Sequence, residues 1–317
     1  MVCGCPAPYI ELERMNTLPK FPPEVHRYVR AAFAKANRRC CEKIARMPNC
    51  SEPSLDMTFV EQLSQFAGPR VVAPGWAVRI DIHYLGGLRH FYGWEIADIG
   101  VLVFAKQGAS VVGKKVALLQ SKRLYPDNGM VHEESPEDYR IGLGNLLPSQ
   151  STKSLALAHT FKFTPTSKYR ALKVGDNQYE AIGKYEEKND LDVHYLFYNP
   201  WKVPSSYSFP VAGAIALGPM GSGGCRVIRS DALRKALGPQ ADGYSPSFND
   251  ISAASQLHTP GEAGWRIESF ISNLLLKCKE GTLFESLDQE NIFNLFNRRS
   301  GPIAAAVAVT VEQFEGR

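Results

Sequence analysis

The chain has no run of roughly 18 consecutive apolar residues, the length a membrane-spanning helix requires. Its first residues, Met1-Val2-Cys3-Gly4-Cys5, lack the charged and then apolar stretches of a secretory leader. Neither a membrane partner nor export is expected, and the cytoplasm is the predicted location. A disulfide framework is missing too. Seven cysteines is an odd number, their spacing is irregular, and 317 residues bury a core without covalent staples. Cys3, Cys5, Cys40, Cys41 and Cys50 come nearest to a metal pattern, but no CxxC knuckle pairs them, so free thiols are expected. Gly218 to Gly224 is not followed by the Lys-Ser/Thr pair of a phosphate loop and reads as a flexible connection. Nucleophile-elbow, Rossmann and zinc-hydrolase patterns are absent as well. Excess charge is small, +4 from 36 basic and 32 acidic side chains, so composition alone selects no polyanionic partner.

What is present is an ordinary globular composition with clear periodicity. Five prolines among the first 23 residues make an extended lead-in. From Glu24 to Met47 there is no Pro or Gly, which predicts a helix ending at Pro48. Between His26 and Arg46 seven basic residues, Arg38 and Arg39 among them, face the single acid Glu42. This stretch is either a phosphate-facing surface or a solvated helix face. Phe59, Leu63 and Phe66 recur at helical spacing within a second predicted helix, Ser54 to Ala67, closed by Gly68-Pro69.

Val78, Ile80 and Ile82 alternate with Arg79, Asp81 and His83, the period of a half-buried strand. Apolar runs at Ile96 to Ala105 and Lys115 to Leu124, separated by turn-forming glycines, predict adjacent central strands. An acidic loop after Pro126 leads to a helix over Asn177 to Lys188 and a strand over Val193 to Tyr198. Further helices are expected at Asp231 to Leu237 and Glu262 to Glu280, and a closing strand at Ile303 to Val311. The fold class is α/β, a central mixed β-sheet flanked by helices.

Chemistry concentrates in two of these segments, Glu95-Ile96-Ala97-Asp98 and Leu119-Gln120-Ser121-Lys122-Arg123. Side chains alternate along a strand, so Gln120 and Lys122 share a face while Ser121 points away. An oxygen ligand and a cation then stand side by side, with the Asp98 carboxylate on the neighbouring strand. Phosphodiester hydrolysis needs that set: oxygen donors for a hard divalent ion, a water to activate, and a positive group for the developing charge. Asp98 is the expected principal ligand, Gln120 offers its amide oxygen, the Ser121 carbonyl completes the shell, and Lys122 orients the water. The same residues also admit a bland reading, with Asp98 capping a strand and Gln-Ser-Lys forming a solvated strand end. His83 and His194 fall within predicted strands and read as structural. Gln178-Tyr179 is assigned to packing.

In the order Phe59-Val60-Glu61, Asp98 and Gln120-Ser121-Lys122, followed by a helix and a strand, residues 55 to 200 resemble the PD-(D/E)xK nuclease superfamily. The Gln-x-Lys form is similar to Mrr-like restriction enzymes and nuclease domains of anti-phage effectors. No Pro precedes Asp98, Glu61 sits two residues after Phe59, and Gln120 replaces an acid. That replacement removes a negative charge from the metal shell, and Glu61 and Glu95 are the candidates to restore it.

The resemblance implies a restriction-endonuclease-like core over 54–200, preceded by a basic helical segment over 1–53. A C-terminal elaboration or small domain would follow over 201–317. It further implies cleavage of double-stranded DNA with Mg2+ or Mn2+, backbone contacts from Arg123, Arg38 and Arg39, and a role in defence or restriction. A helicase or ATPase subunit, or a second copy of the chain, would be the partner. The alternative is a non-catalytic nucleic-acid-binding or assembly subunit that keeps the fold.

Overall fold

The computed structural model describes residues 18–85, 94–128, 159–209, 211, 213–219, 221–256, 264–283 and 303–314. Helix α1 (Pro23–Arg46) starts at a proline, where the missing N–H costs nothing. It buries Val25, Val29, Ala32, Phe33, Ala36, Cys40 and Ile44, a stripe at helical spacing. Helix α2 (Glu52–Ser64) lies against it through Leu55, Phe59 and Leu63, and the rings of Phe33 and Phe59 sit 6.0 Å apart. Helix α2 begins two residues before the expected Ser54, because Pro53 tolerates the first turn as readily as Pro23 does. That extra half-turn brings Glu52 into the helix.

The strands follow as β1 (Arg70–Ala73), β2 (Trp76–Tyr84), β3 (Ala97–Gln107), β4 (Ser110–Arg123) and β5 (His159–Phe163). After α3 (Asn177–Asn189) come β6 (Val193–Tyr198), β7 (Ser205–Phe209) and β8 (Arg226–Arg229), then α4 (Ser230–Leu237) and α5 (Phe248–Ser255). Strand β9 (Trp265–Arg266), a helical turn continuing as a π-helix (Ile267–Ser269 and Phe270–Leu275), β10 (Thr282–Leu283) and β11 (Ile303–Gln313) complete the described elements. A nine-stranded mixed sheet runs in the order β1-β2-β11-β3-β4-β6-β8-β9, with β10 also on β4, while β5 and β7 form a separate ribbon. The expected α/β class, a mixed sheet flanked by helices, is the architecture found.

The sheet departs from a simple meander at its centre. Strand β11 lies between β2 and β3, antiparallel to the first and parallel to the second. Its sequence, Ile303-Ala-Ala-Ala-Val-Ala-Val-Thr-Val, is almost wholly buried, as expected for a strand covered on both faces. Gly100 of β3 makes the fit possible, since a Cβ there would stand 2.7 Å from Ile303 Cδ1. The segment after residue 201 thus supplies β8, β9 and the sheet's inner strand β11, and belongs to the same sheet as residues 54–200.

Two further expectations are corrected. Within the described residues, the span expected as one helix to Glu280 is a short strand, a helical turn and a π-helix. Gly264, with φ of 90°, brings the backbone close to β8, where a Cβ would meet the Val227 carbonyl at 2.7 Å. Trp265 and Arg266 then pair with Val227 and Arg226. The glycine-rich stretch is no loose connection over its described residues. A Cβ on Gly223 would stand 1.9 Å from the Pro200 carbonyl, and Gly224 N–H donates to that same oxygen. Among the described residues no helix is long and apolar enough to cross a membrane. The acidic loop after Pro126 and the cysteines Cys3 and Cys5 lie mostly or wholly outside the described residues.

Candidate active site

Strands β3 and β4 pair antiparallel, with Ile99 facing Leu119 as the last registered pair before the site. One step further, Asp98 stands opposite Gln120, as cross-strand neighbours on one face. Gln120 Nε2 donates to Asp98 Oδ2 at 2.6 Å, and the Ser121 N–H donates to the same oxygen at 2.7 Å. A carboxylate therefore takes the place of a backbone acceptor where the ladder opens. The other half of the Gln120 amide, Oε1, is buried and has no hydrogen-bond partner among the described residues.

Lys122 is buried, at 4% exposure. Its ammonium donates to Gln178 Oε1 at 3.0 Å and lies 3.8 Å from Glu52 Oε2. Alternation holds at Ser121, whose Oγ donates to Asp56 Oδ1 on α2 at 2.5 Å. The Tyr198 hydroxyl, at the end of β6, donates to that same carboxylate oxygen at 2.8 Å. Glu52 Oε1 accepts from the Arg123 N–H at 3.0 Å, tying the start of α2 to the end of β4.

Asp98, Gln120 and Lys122, which the sequence points to, lie together in the structure, and Glu52, Asp56 and Gln178, for which the sequence predicts no role at the site, join them. The signal for the first two was present: acids at i and i+4 project from one helix face. It was obscured because the helix was expected to begin after Glu52. Glu61, the α2 acid that the resemblance implies, lies nine residues after Glu52, and 100° per residue turns it half a revolution away. It is exposed, and among the described residues its carboxylate forms no hydrogen bond or ion pair with Asp98, Gln120 or Lys122. Gln178, assigned to packing, instead bridges the site: besides accepting from Lys122 it donates through Nε2 to the Glu95 carbonyl at 3.0 Å.

Glu95 is half-buried before β3, and its charge helps raise the pKa of Asp98. Arg123 is not the expected DNA contact, because its side chain is 1% exposed. Its guanidinium donates to the Pro48 carbonyl and stacks 4.4 Å from the Tyr125 ring centre. Arg38 and Arg39 are exposed on α1 and share Glu42 at 3.3 and 3.5 Å. His83 is exposed, and His194 is buried 3.3 Å from Glu280 Oε2.

Electrostatics explain what this packing costs. Glu52 lies beside the Lys122 ammonium, the charge of Lys122 acts on Asp98, and Asp56, bound to Ser121 on the other face of β4, feels the charges of Asp98 and Glu52. Asp98 keeps some exposure, yet loss of water around its carboxyl, with the charges of Glu52 and Glu95 behind it, pushes its pKa up to about 7, against the opposing pull of Lys122 and the Ser121 N–H. Burial first, then the charge of Asp98, raises Asp56 well above the usual carboxylate range. Fully ionised, the cluster would carry more negative charge than its one cation offsets, and the raised values of Asp56 and Asp98 keep protons on it instead.

The donors fit a hard divalent cation in two respects. Gln120 Oε1 is an unsatisfied buried oxygen beside a carboxylate, and a positive ion would relieve the repulsion among the acids. Among the described residues no three His, Cys, Asp or Glu side chains are already gathered in a metal-binding group. A cation held here would combine carboxylate with amide or backbone oxygen. No protein-family model, curated protein or solved structure matches the chain.

Proposed function

We propose that the protein is a metal-dependent endonuclease that hydrolyses DNA phosphodiester bonds, with the chemistry of the PD-(D/E)xK superfamily that its Asp98 and Gln120-Ser121-Lys122 resemble. One observation carries the reading: Asp98 lies across the β3–β4 pair from Gln120, whose free amide oxygen is buried without a partner among the described residues, with the Lys122 ammonium two residues along. Asp98 and Gln120 Oε1 would hold the ion. A bound Mg2+ or Mn2+ supplies Lewis acidity and a water of lowered pKa. Lys122 then stabilises charge near the attacking water and the phosphate oxygens, and its position is kept by Gln178 and Glu52. Glu52 also anchors the β4 end through the Arg123 N–H, and Asp56 fixes Ser121, whose N–H orients the Asp98 carboxylate. Apart from Lys35, which stands over the Phe66 ring, the exposed bases of α1, Arg27, Arg30, Arg38, Arg39 and Arg46, support a DNA-backbone contact. A defence setting, an ATPase partner and self-association belong to the same proposal.

Incubating plasmid with Mg2+ or Mn2+ and the purified protein, beside Asp98→Ala and Lys122→Ala, tests this. Cutting by the parent alone is expected, and equal cutting by all three would refute it. One observation favours a second reading, a nucleic-acid-binding subunit without catalysis: Gln120 presents its N–H, not its oxygen, to Asp98. Salt-dependent DNA binding that ignores both divalent ions and Asp98→Ala would select that reading.

A further inference from the structure

At the other end of α2 from Glu52, its last turn and the turn into β1 meet α1 around a cavity of about 370 Å3. This lies within the range of roughly 300–1,000 Å3 typical of small-molecule sites. Asp56 and Ser64, at the end of α2, are about 12 Å apart along the axis at 1.5 Å per residue, so the cavity beyond that end is separate from the carboxylate cluster. Its lining carries two aromatic rings, two cations and no acid: Tyr28 and Lys35 from α1, Gln65 and Phe66 after α2, and Arg70 opening β1. Tyr28 and Phe66 meet edge to face with ring centres 6.1 Å apart, and Lys35 Nζ stands 5.3 Å from the centre of the Phe66 ring. Gly68, at φ of 91°, turns the chain sharply, and a side chain there would meet nothing within 4 Å, so the wall is open at that point.

Ring faces beside cations select a ligand that is both aromatic and anionic. The amide of Gln65 and the hydroxyl of Tyr28 add donors and acceptors, which suit a ring bearing heteroatoms better than a plain phenyl. We propose that this cavity is a nucleotide site, taking a nucleobase against Tyr28 and Phe66 and its phosphate between Lys35 and Arg70. The same chemistry is offered by a free nucleotide and by one unit of a single strand, since base stacking on aromatic side chains tolerates any sequence. The assignment rests on the cavity alone and stands or falls independently of cleavage at Asp98.

The test titrates the full-length protein, in EDTA, with adenosine 5′-monophosphate, adenosine, orthophosphate, O-phosphotyrosine and a short oligothymidylate, by calorimetry. The mononucleotide should bind at least about tenfold more tightly than adenosine or phosphate alone. Lys35→Glu, Arg70→Glu and Phe66→Ala should each weaken it about tenfold, roughly 1.4 kcal/mol. If the oligonucleotide alone binds and shows the same losses, the site stands and its ligand is a strand. Phe66 also packs on Tyr28, so the exposed Lys35→Glu, checked by thermal melting, keeps the test informative if Phe66→Ala unfolds. No binding of either nucleotide form, tighter binding of phosphotyrosine, or indifference to all three substitutions overturns the proposal. Asp98→Ala, which should abolish cutting, should leave this affinity unchanged, so the two readings fail separately.

Discussion

Replacing Asp98 by Asn in metal-free protein should make the fold more stable at pH 8 and nearly unchanged at pH 4. The surrounding protein lifts the carboxyl from 3.8 to about 7. With the folded pKa above the unfolded one, the folded state keeps a proton that the unfolded chain has already released across this window. The stabilisation from that proton is present below the lower value and lost as pH rises through the upper one. At 1.36 kcal/mol for each pH step the full span amounts to on the order of 4 kcal/mol above pH 7. Water reaching a carboxylate that keeps some exposure reduces this to roughly 2–3 kcal/mol.

Asparagine cannot ionise, and its carboxamide oxygen still accepts from Gln120 or Ser121. Urea unfolding in EDTA, with a slope of about 3 kcal/mol per molar, should place the Asp98→Asn midpoint nearly 1 M higher at pH 8. Added Mg2+ should stabilise the parent and not the variant, narrowing the gap. An Asp98→Asn protein that is less stable than the parent at pH 8, or that shows the same difference at both pH values, would refute the electrostatic account.

Arg123→Met should cost about 2–4 kcal/mol, since the Pro48 carbonyl loses a charged donor, while leaving the salt slope of DNA binding unchanged. A slope lowered by about one would restore Arg123 as a phosphate contact. Gly223→Ala forces a methyl against the Pro200 carbonyl, a backbone atom that has no flexible side chain to move aside. A loss of about 3 kcal/mol follows, read as a lower thermal midpoint, and an unchanged midpoint would show that the Pro200 turn is looser than described.

The strands of the site were legible because their apolar runs are long and their turn glycines unambiguous. The pairing of Asp98 with Gln120 followed from adjacency and alternation alone. Residues on helices were harder, since one misplaced boundary rotates every choice on a helix face. Starting α2 at Ser54 left Glu52 outside it and drew attention to Glu61. Gln178 lay beyond local reasoning altogether, because its contact with Lys122 joins segments 56 residues apart. Arg123 shows the reverse error: alternation gives the face of a side chain but not whether that face is covered. The central place of β11 was likewise hidden, as Ile303-Ala-Ala-Ala-Val identifies a strand but not its neighbours.

The position of β11 orders events during synthesis. Translation delivers β3, with Asp98, some two hundred residues before the strand that lies between it and β2. Until residues 303–313 emerge, the Asp98 strand lacks one of its two lateral partners, and a contact of such long range closes slowly. A polypeptide interrupted before Ile303 would thus carry every residue of the carboxylate cluster without the scaffold that aligns them. For a molecule proposed to cut DNA, that dependence withholds competence from unfinished copies.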